Sequence, residues 1–187
     1  MTAVLAVQGD FFEHERALAS LGEPYFEIRC RADAEKHFDR LVLPGGESTV
    51  QRKLVTELGL YDILRERIAG TDDATGTAGR GGIPVLATCA GLILLADYFR
   101  TLPVTVKRNA YGRQTGSFAT VADFSGIGTI PMTFIRAPAV EEASSPVTVK
   151  SIVDGRITGV QYKKQIGIAF HPEMDADSRL YQYFLSL

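Results

Sequence analysis

Over the first hundred or so residues, short apolar runs alternate with stripes of apolar residues three and four positions apart. Ala3–Val7 is an unbroken apolar run, the pattern of a strand buried on both faces. Gln8-Gly9-Asp10 ends it and offers Asp10 as an N-cap. Phe11, His14, Ala17, Leu18 and Leu21 then recur at helical spacing, and Gly22 with Pro24 stops the helix. Tyr25–Arg29 and Arg40–Leu43 read as the next two strands. Pro44-Gly45-Gly46 is a turn, and a helix follows it with Leu54, Leu58, Tyr61, Leu64 and Ile68 on its apolar side and Ser48 or Thr49 as its cap. The segment 70–82 is small, polar and glycine-rich, too poor in large apolar residues to pack, and reads as a flexible surface loop. Ile83–Thr88 is a further buried strand, and a second apolar run, Leu92–Ala96, begins the next helix.

After about residue 100 the period shortens. Val104–Lys107, Ser117–Val121, Met132–Ile135, Val147–Val153, Ile157–Gln161 and Ile166–Phe170 are short alternating segments broken by Gly and Pro. Leu180, Tyr183, Phe184 and Leu187 close the chain as an amphipathic helix. Strand–helix alternation followed by strands predicts an α/β fold in a single domain over 1–187, with a mainly parallel central sheet flanked by helices and extended by antiparallel strands.

Composition acts mainly by exclusion. Apolar and charged contents of 45% and 22% are those of a globule able to bury a sizeable core. A net charge of −2 without a basic block points away from nucleic acid and from anionic membrane surfaces. No apolar run approaches the length of a membrane span. The N-terminus is apolar at once and lacks the basic segment of a secretory signal, which predicts a cytoplasmic protein whose Cys30 and Cys89 are reduced.

Candidate chemistry centres on Ala87-Thr88-Cys89-Ala90-Gly91. A cysteine between an apolar strand and an apolar helix, with small residues two positions to either side, has the layout of a nucleophile elbow. The helix N-terminus beneath would favour a thiolate. Equally, a free cysteine in such a place serves as a small buried hydrophobe, and the pentapeptide leaves both readings open. A nucleophile needs a base, and the chain has three histidines. His14 lies on the first helix and His37 in a charged, solvated stretch, whereas His171 follows the strand Ile166–Phe170 and precedes Pro172-Glu173. The residue before a proline is biased towards extended backbone, in which positions i and i+2 share a side, so His171 and Glu173 are expected to face one site. The carboxylate would fix the imidazole tautomer, and the imidazole would draw the thiol proton. The turn Pro44-Gly45-Gly46 admits close backbone approach, so the amides of Gly46 and Ala90 are candidate oxyanion donors. The loop lacks the Gly-Lys-Ser/Thr ending of a Walker-type phosphate loop.

Together the cysteine elbow, His171-Pro-Glu173 and the Pro-Gly-Gly loop resemble the class I (triad) glutamine amidotransferases. More closely, the chain resembles the glutaminase subunits of bacterial pyridoxal 5′-phosphate synthase. That narrower resemblance rests on Leu43-Pro-Gly-Gly-Glu-Ser-Thr49, Thr88-Cys-Ala-Gly-Leu-Ile93, Arg108-Asn-Ala-Tyr-Gly-Arg-Gln114, Phe134-Ile-Arg-Ala-Pro138 and Phe170-His-Pro-Glu173. Val7-Gln8-Gly9 with Glu13-His14 resembles the N-terminal signature, so the likeness runs essentially from end to end.

The resemblance implies Cys89 as nucleophile with His171 and Glu173 as its relay, and a glutamine pocket made by Gly46, Glu47, Ser48, Arg108, Ile135 and Arg136. Arginine suits the substrate carboxylate, although Arg108 and Arg136 taken alone would read as surface ion-pair partners. The implied reaction is hydrolysis of L-glutamine to L-glutamate and ammonia through a glutamyl thioester. Ammonia would pass to a separate (β/α)8 synthase subunit in a hetero-oligomeric complex that makes pyridoxal 5′-phosphate. Gln8, after the first strand, is a candidate for partner-dependent activation. Neither a cofactor nor a metal is expected in this subunit.

Two features depart from the family pattern. The 70–82 loop looks longer than usual, and position 87 is Ala where members commonly have Gly, a change that still meets the demand for a small residue. A glutaminase serving another acceptor would lack the Arg-Asn-Ala-Tyr-Gly-Arg-Gln and Ile-Arg-Ala-Pro segments. A catalytically dead binding module would be expected to have lost a member of the Cys89, His171, Glu173 set.

Overall fold

The computed structural model describes residues 1–70, 82–111 and 117–187. Its strands are β1 (Thr2–Leu5), β2 (Tyr25–Ile28), β3 (Arg40–Leu43), β4 (Val85–Thr88), β5 (Val104–Lys107), β6 (Ser117–Phe124), β7 (Gly128–Ile135), β8 (Ala139–Ala143), β9 (Thr148–Val153), β10 (Arg156–Tyr162) and β11 (Gln165–Ile168). Its helices are α1 (Phe11–Ser20), α2 (Arg31–Ala34), α3 (Ser48–Glu57), α4 (Tyr61–Ala69), α5 (Ala90–Ile93) and α6 (Arg179–Leu185). A π-helical turn, Leu94–Tyr98, continues α5, and a 3₁₀ turn spans Pro172–Met174.

Nine strands form one sheet in the order β2-β1-β3-β4-β11-β10-β8-β5, with β9 paired to β10. The first five are mutually parallel, and the rest join antiparallel. β6 and β7 form a separate hairpin. The predicted mainly parallel sheet with antiparallel additions is therefore the observed architecture.

The unbroken apolar runs reflect burial on both faces. Ala3 and Leu5 of β1, Leu41 and Leu43 of β3, and Val85 and Ala87 of β4 meet Val55, Leu60, Leu64, Ile68 and Leu92 on one side. Val4, Val42 and Leu86 point the other way, onto Leu18 of α1, Leu180 and Phe184 of α6, and Met132 and Phe134 of the hairpin.

Several expectations need correction. The single helix expected after the Gly-Gly turn is two, α3 and α4. Gly59 (φ +65°) ends the first, with Gly59 N–H donating to Thr56 O and Leu60 N–H to Val55 O. This is a Schellman stop, and the apolar stripe runs across it because both helices cover the same sheet face. Asp10 stands at the N-cap of α1, but its side chain makes no capping bond. Glu47, not Ser48 or Thr49, caps α3 by accepting from Thr49 N–H. The sequence pattern did not announce α2 or β8; β8 buries only Ala139 and Val140 and turns Glu141 and Glu142 outward. The expected 70–82 loop falls almost wholly on 71–81, outside the described residues.

The parallel register sets the chemistry. β1, β3, β4 and β11 run side by side, so the segments leaving their carboxyl ends, at Gln8, Gly45, Cys89 and His171, converge at one end of the sheet. That is where open α/β sheets place ligands.

Candidate active site

Cys89 follows β4 directly and precedes α5, with φ +47° and ψ −102°. A residue with a Cβ rarely occupies such a conformation, and it persists only where its surroundings over-determine it. Here Cys89 N–H donates to Ile168 O of the neighbouring strand at 2.8 Å. The helix behind it leaves no freedom either: a Cβ on Gly91 would stand 2.1 Å from Leu43 O. The small residue two positions after the cysteine is thus a steric requirement of α5 crossing β3. Ala87, two positions before it, is fully buried. The Cys89 side chain sits in a nearly closed position and is only slightly exposed.

His171 is held by its own N–H, which donates to Thr133 O of the hairpin. Its Nδ1 lies 2.6 Å from Glu173 Oε1, with the Glu173 side chain wholly buried. The expectation that extended backbone would align the pair is corrected. Pro172–Met174 is a 3₁₀ turn, closed by Met174 N–H donating to His171 O, and it folds the carboxylate back onto the ring. Burial opposes charge on His171, but the neighbouring Cys89 side chain, the hydrogen bond to Glu173 and the charge of Glu173 outweigh it and push the pKa up to about 10. Burial likewise opposes charge on Glu173, and His14 and His171 together reverse this and hold its pKa below the ordinary carboxylate value.

These shifts have a measurable sign. Folding raises the His171 pKa from an ordinary 6.5 to about 10, so the folded protein binds this proton more tightly than the unfolded chain. The associated stability is complete below pH 6.5 and is lost as pH climbs towards 10. Scanning calorimetry is expected to show the melting temperature falling across that window in wild type and less steeply in His171→Asn.

Over Cys89 opens a cleft of about 200 Å³ lined by Gly46, Glu47, Ser48, Cys89, Ala90, Ile93, Arg108, Asn109, Ile135, Arg136 and Pro138. Each expected pocket residue and both expected oxyanion donors line it. Arg136 and Asn109 adopt positive φ (+45° and +49°), so the turns that carry the two arginine segments are themselves tightly bent. A larger cleft of about 630 Å³ around Asp97, Arg100 and Glu142 contains no cysteine or histidine. Residues 112–114 of the Arg108–Gln114 segment lie outside the described residues.

Gln8 accepts Glu47 N–H on its Oε1 at 2.8 Å and thereby ties the end of β1 to the Gly-Gly turn. Three residues not expected from sequence join the site. Gln51, wholly buried on α3, donates from Nε2 to the carbonyls of Gln8, Pro44 and Gly45 at 3.0, 3.2 and 3.2 Å. Asp10 approaches His171 Nδ1 to 3.6 Å, and burial raises its pKa. His14, wholly buried, reaches to 3.5 Å from Glu173 Oε2. The signal for His14 and Gln51 was their place on or beside apolar helical stripes; Asp10 gave none beyond its N-cap position. Asp10, His171 and Glu173 bring ligand atoms within 4.8 Å of one another, with His171 Nδ1 and Glu173 Oε1 already paired by their hydrogen bond. His37 is exposed beside Asp39, away from these groups.

A cysteine at a strained strand–helix corner, a buried imidazole–carboxylate pair and an arginine-bearing cleft are arranged on the fold of the glutamine amidotransferase class. A solved glutamine amidotransferase, 36% identical, matches with a TM-score of 0.87 over 99% of this chain and 97% of that one. The chain belongs to the SNO glutamine amidotransferase family, whose model matches residues 4–187. Among curated proteins it is similar to pyridoxal 5′-phosphate synthase subunit PdxT of Desulfitobacterium hafniense, 52% identical over 97% of this chain and 90% of the relative. The protein of that name from Methanocorpusculum labreanum is 47% identical over 98% of this chain and 95% of its own length. PurLQS from Thermotoga maritima shares the fold at 15% identity, with a TM-score of 0.62 over 99% of this chain and 96% of that structure. Among the described residues no helix is long and apolar enough to cross a membrane.

Proposed function

We propose that this protein hydrolyses L-glutamine to L-glutamate and ammonia and delivers the ammonia to a synthase subunit making pyridoxal 5′-phosphate. The observation that carries this reading is the cleft, which gathers Cys89, the Gly46–Ser48 turn and both arginines, with the hydrogen-bonded His171–Glu173 pair following the strand next to that of Cys89. Membership of an amidotransferase family and relatives named as synthase subunits support the acceptor. The proposed glutaminase domain spans 1–187, and its place of action is the cytoplasm.

In the proposed mechanism Cys89 gives its proton to His171 and attacks the side-chain amide carbon. The amides of Gly46 and Ala90 receive the oxyanion of the tetrahedral adduct. A His171 pKa of about 10 keeps the proton on the imidazole until it is passed to the departing ammonia. His171 then draws a proton from water, which cleaves the glutamyl thioester and releases glutamate. Glu173 holds the imidazole in one tautomer and balances its charge. Gly46, Glu47, Ser48 and Ile135 shape the pocket, and Arg108 and Arg136 supply the charge that a substrate carboxylate requires.

The test is ammonia release from glutamine with and without the partner synthase. Release should be slow for the isolated protein and rise on adding the synthase; no release in either condition would overturn the reading. Gln8→Ala removes the acceptor of Glu47 N–H and is expected to lose most of the synthase-dependent rise. Undiminished stimulation would remove Gln8 from the activation step while leaving the glutaminase reading intact.

A further inference from the structure

Glu173 is a buried carboxylate with only one oxygen accounted for. Oε1 accepts from His171, whereas Oε2 is buried without a hydrogen-bond partner. An unmatched oxygen on a buried anion is costly, and a polar neighbour within reach should matter. His14 Nε2 stands 3.5 Å from it and also lies 3.1 Å from the hydroxyl of Thr88, the residue before the elbow cysteine. On its other side, His14 Nδ1 is 2.7 Å from the Tyr181 hydroxyl of α6. All three side chains of this chain of contacts are buried: His14 and Thr88 wholly, Tyr181 at 1% exposure.

These contacts fix a proton arrangement. Burial is the largest influence on His14 and lowers its pKa, so the ring is neutral, with one nitrogen donating and the other accepting. The charged and titratable groups that face it are Glu173, His171, Asp10 and Glu13, with Tyr181 as its hydroxyl partner. A lone pair on Nε2 would be directed at the Glu173 anion. The favourable tautomer carries hydrogen on Nε2, and Nδ1 then accepts from the Tyr181 hydroxyl.

We propose that His14, oriented by Tyr181, is a positioning residue that clamps the free oxygen of Glu173 and thereby aims His171 at Cys89. The carboxylate is held between two imidazoles from different elements, a charged one that acts and a neutral one that steadies it. α1 thus contributes to the rate without touching substrate. A histidine serving only to fill the core would be replaceable by an apolar side chain of similar size. This inference rests on the Cys89, His171, Glu173 assignment proposed above.

The experiment uses the synthase-bound protein and measures kcat and KM for glutamine, with a melting temperature for each variant. His14→Leu is expected to lower kcat by about tenfold or more with KM within about twofold, the size typical of losing an outer-shell partner. His14→Gln, which restores an N–H donor, should recover most of the rate, and Tyr181→Phe should lower kcat less than His14→Leu does. The deciding measurement is the double variant: if His14 acts through Glu173, adding His14→Leu to Glu173→Gln lowers kcat no further. Wild-type kcat in His14→Leu, or a fall that multiplies with that of Glu173→Gln, overturns the proposal. Should His14→Leu fail to fold, His14→Gln compared with His14→Ala and the Tyr181→Phe pairing carry the same test. Failure of the underlying reading is separate and shows as unchanged ammonia release in Cys89→Ala.

Discussion

Cys89→Ala is expected to abolish glutamine hydrolysis, lowering ammonia release by about 10⁴-fold or more, as loss of a nucleophile does in triad enzymes. No other thiol is among the described residues lining the cleft, and neither the Ser48 hydroxyl nor the Glu47 carboxylate stands at the elbow. Stability should hardly change, because the alanine Cβ keeps the strained backbone and only a slightly exposed sulfur is lost. A second substitution at the same position separates strain from chemistry. Cys89→Gly should be equally inactive, yet melt at or above Cys89→Ala, because φ +47° and ψ −102° cost glycine little. Ammonia release with synthase present, together with scanning calorimetry on both variants, reads the two effects independently. Substantial hydrolysis by Cys89→Ala would falsify the mechanism.

Gly91→Ala is expected to be severely damaging although Gly91 carries no chemistry. The new Cβ would lie 2.1 Å from Leu43 O and 2.8 Å from Leu43 C, both backbone atoms of a central strand, so a side-chain rotation offers no relief. Either α5 lifts from the sheet or β3 bends. Overpacking of this kind costs roughly 1–3 kcal/mol. For a chain of this size that corresponds to a fall of about 2–12 °C in melting temperature. Activity should fall further than stability, because α5 begins at Ala90 and its displacement carries the elbow with it. At temperatures where the variant is still folded, kcat should already be reduced. A variant that melts like wild type with full kcat would mean that α5 can shift on β3 without disturbing Cys89.

The same steric demand made much of the site legible in sequence. Strand–helix corners that hold a side chain under strain demand small flanking residues, so Ala87 and Gly91 mark Cys89 without any knowledge of the tertiary fold. β3 and β5 were found with their observed bounds because two-sided burial leaves an uninterrupted apolar run in β3 and one-sided burial leaves a strict alternation in β5. What the pattern did not carry was the reach of polar side chains between elements. His14 and Gln51 sit on apolar helical stripes with Leu18 and Val55, where periodicity alone counts them as core; only the sheet topology brings them against Glu173 and the Gly-Gly turn. The His171-Pro-Glu173 pairing was anticipated, but by a different backbone route, since a proline can open a 3₁₀ turn as readily as extend a strand. The α3–α4 break was signalled by Gly59 and masked by a hydrophobic stripe that both helices share.

The β4–β11 pairing gives the proposed nucleophile and base a common lifetime. Thr88 and Ile168 are register partners, Cys89 N–H closes the next rung onto Ile168 O, and His171 leaves three residues beyond. Both groups thus hang from adjacent strands at the centre of a nine-stranded sheet, among the backbone segments that open last. Arg108 and Arg136 hang instead from turns outside that centre, after the edge strand β5 and after the β6–β7 hairpin. Slow breathing of the molecule would therefore loosen the grip on substrate well before it separated sulfur from imidazole, leaving the protein able to bind poorly for long before it becomes unable to react.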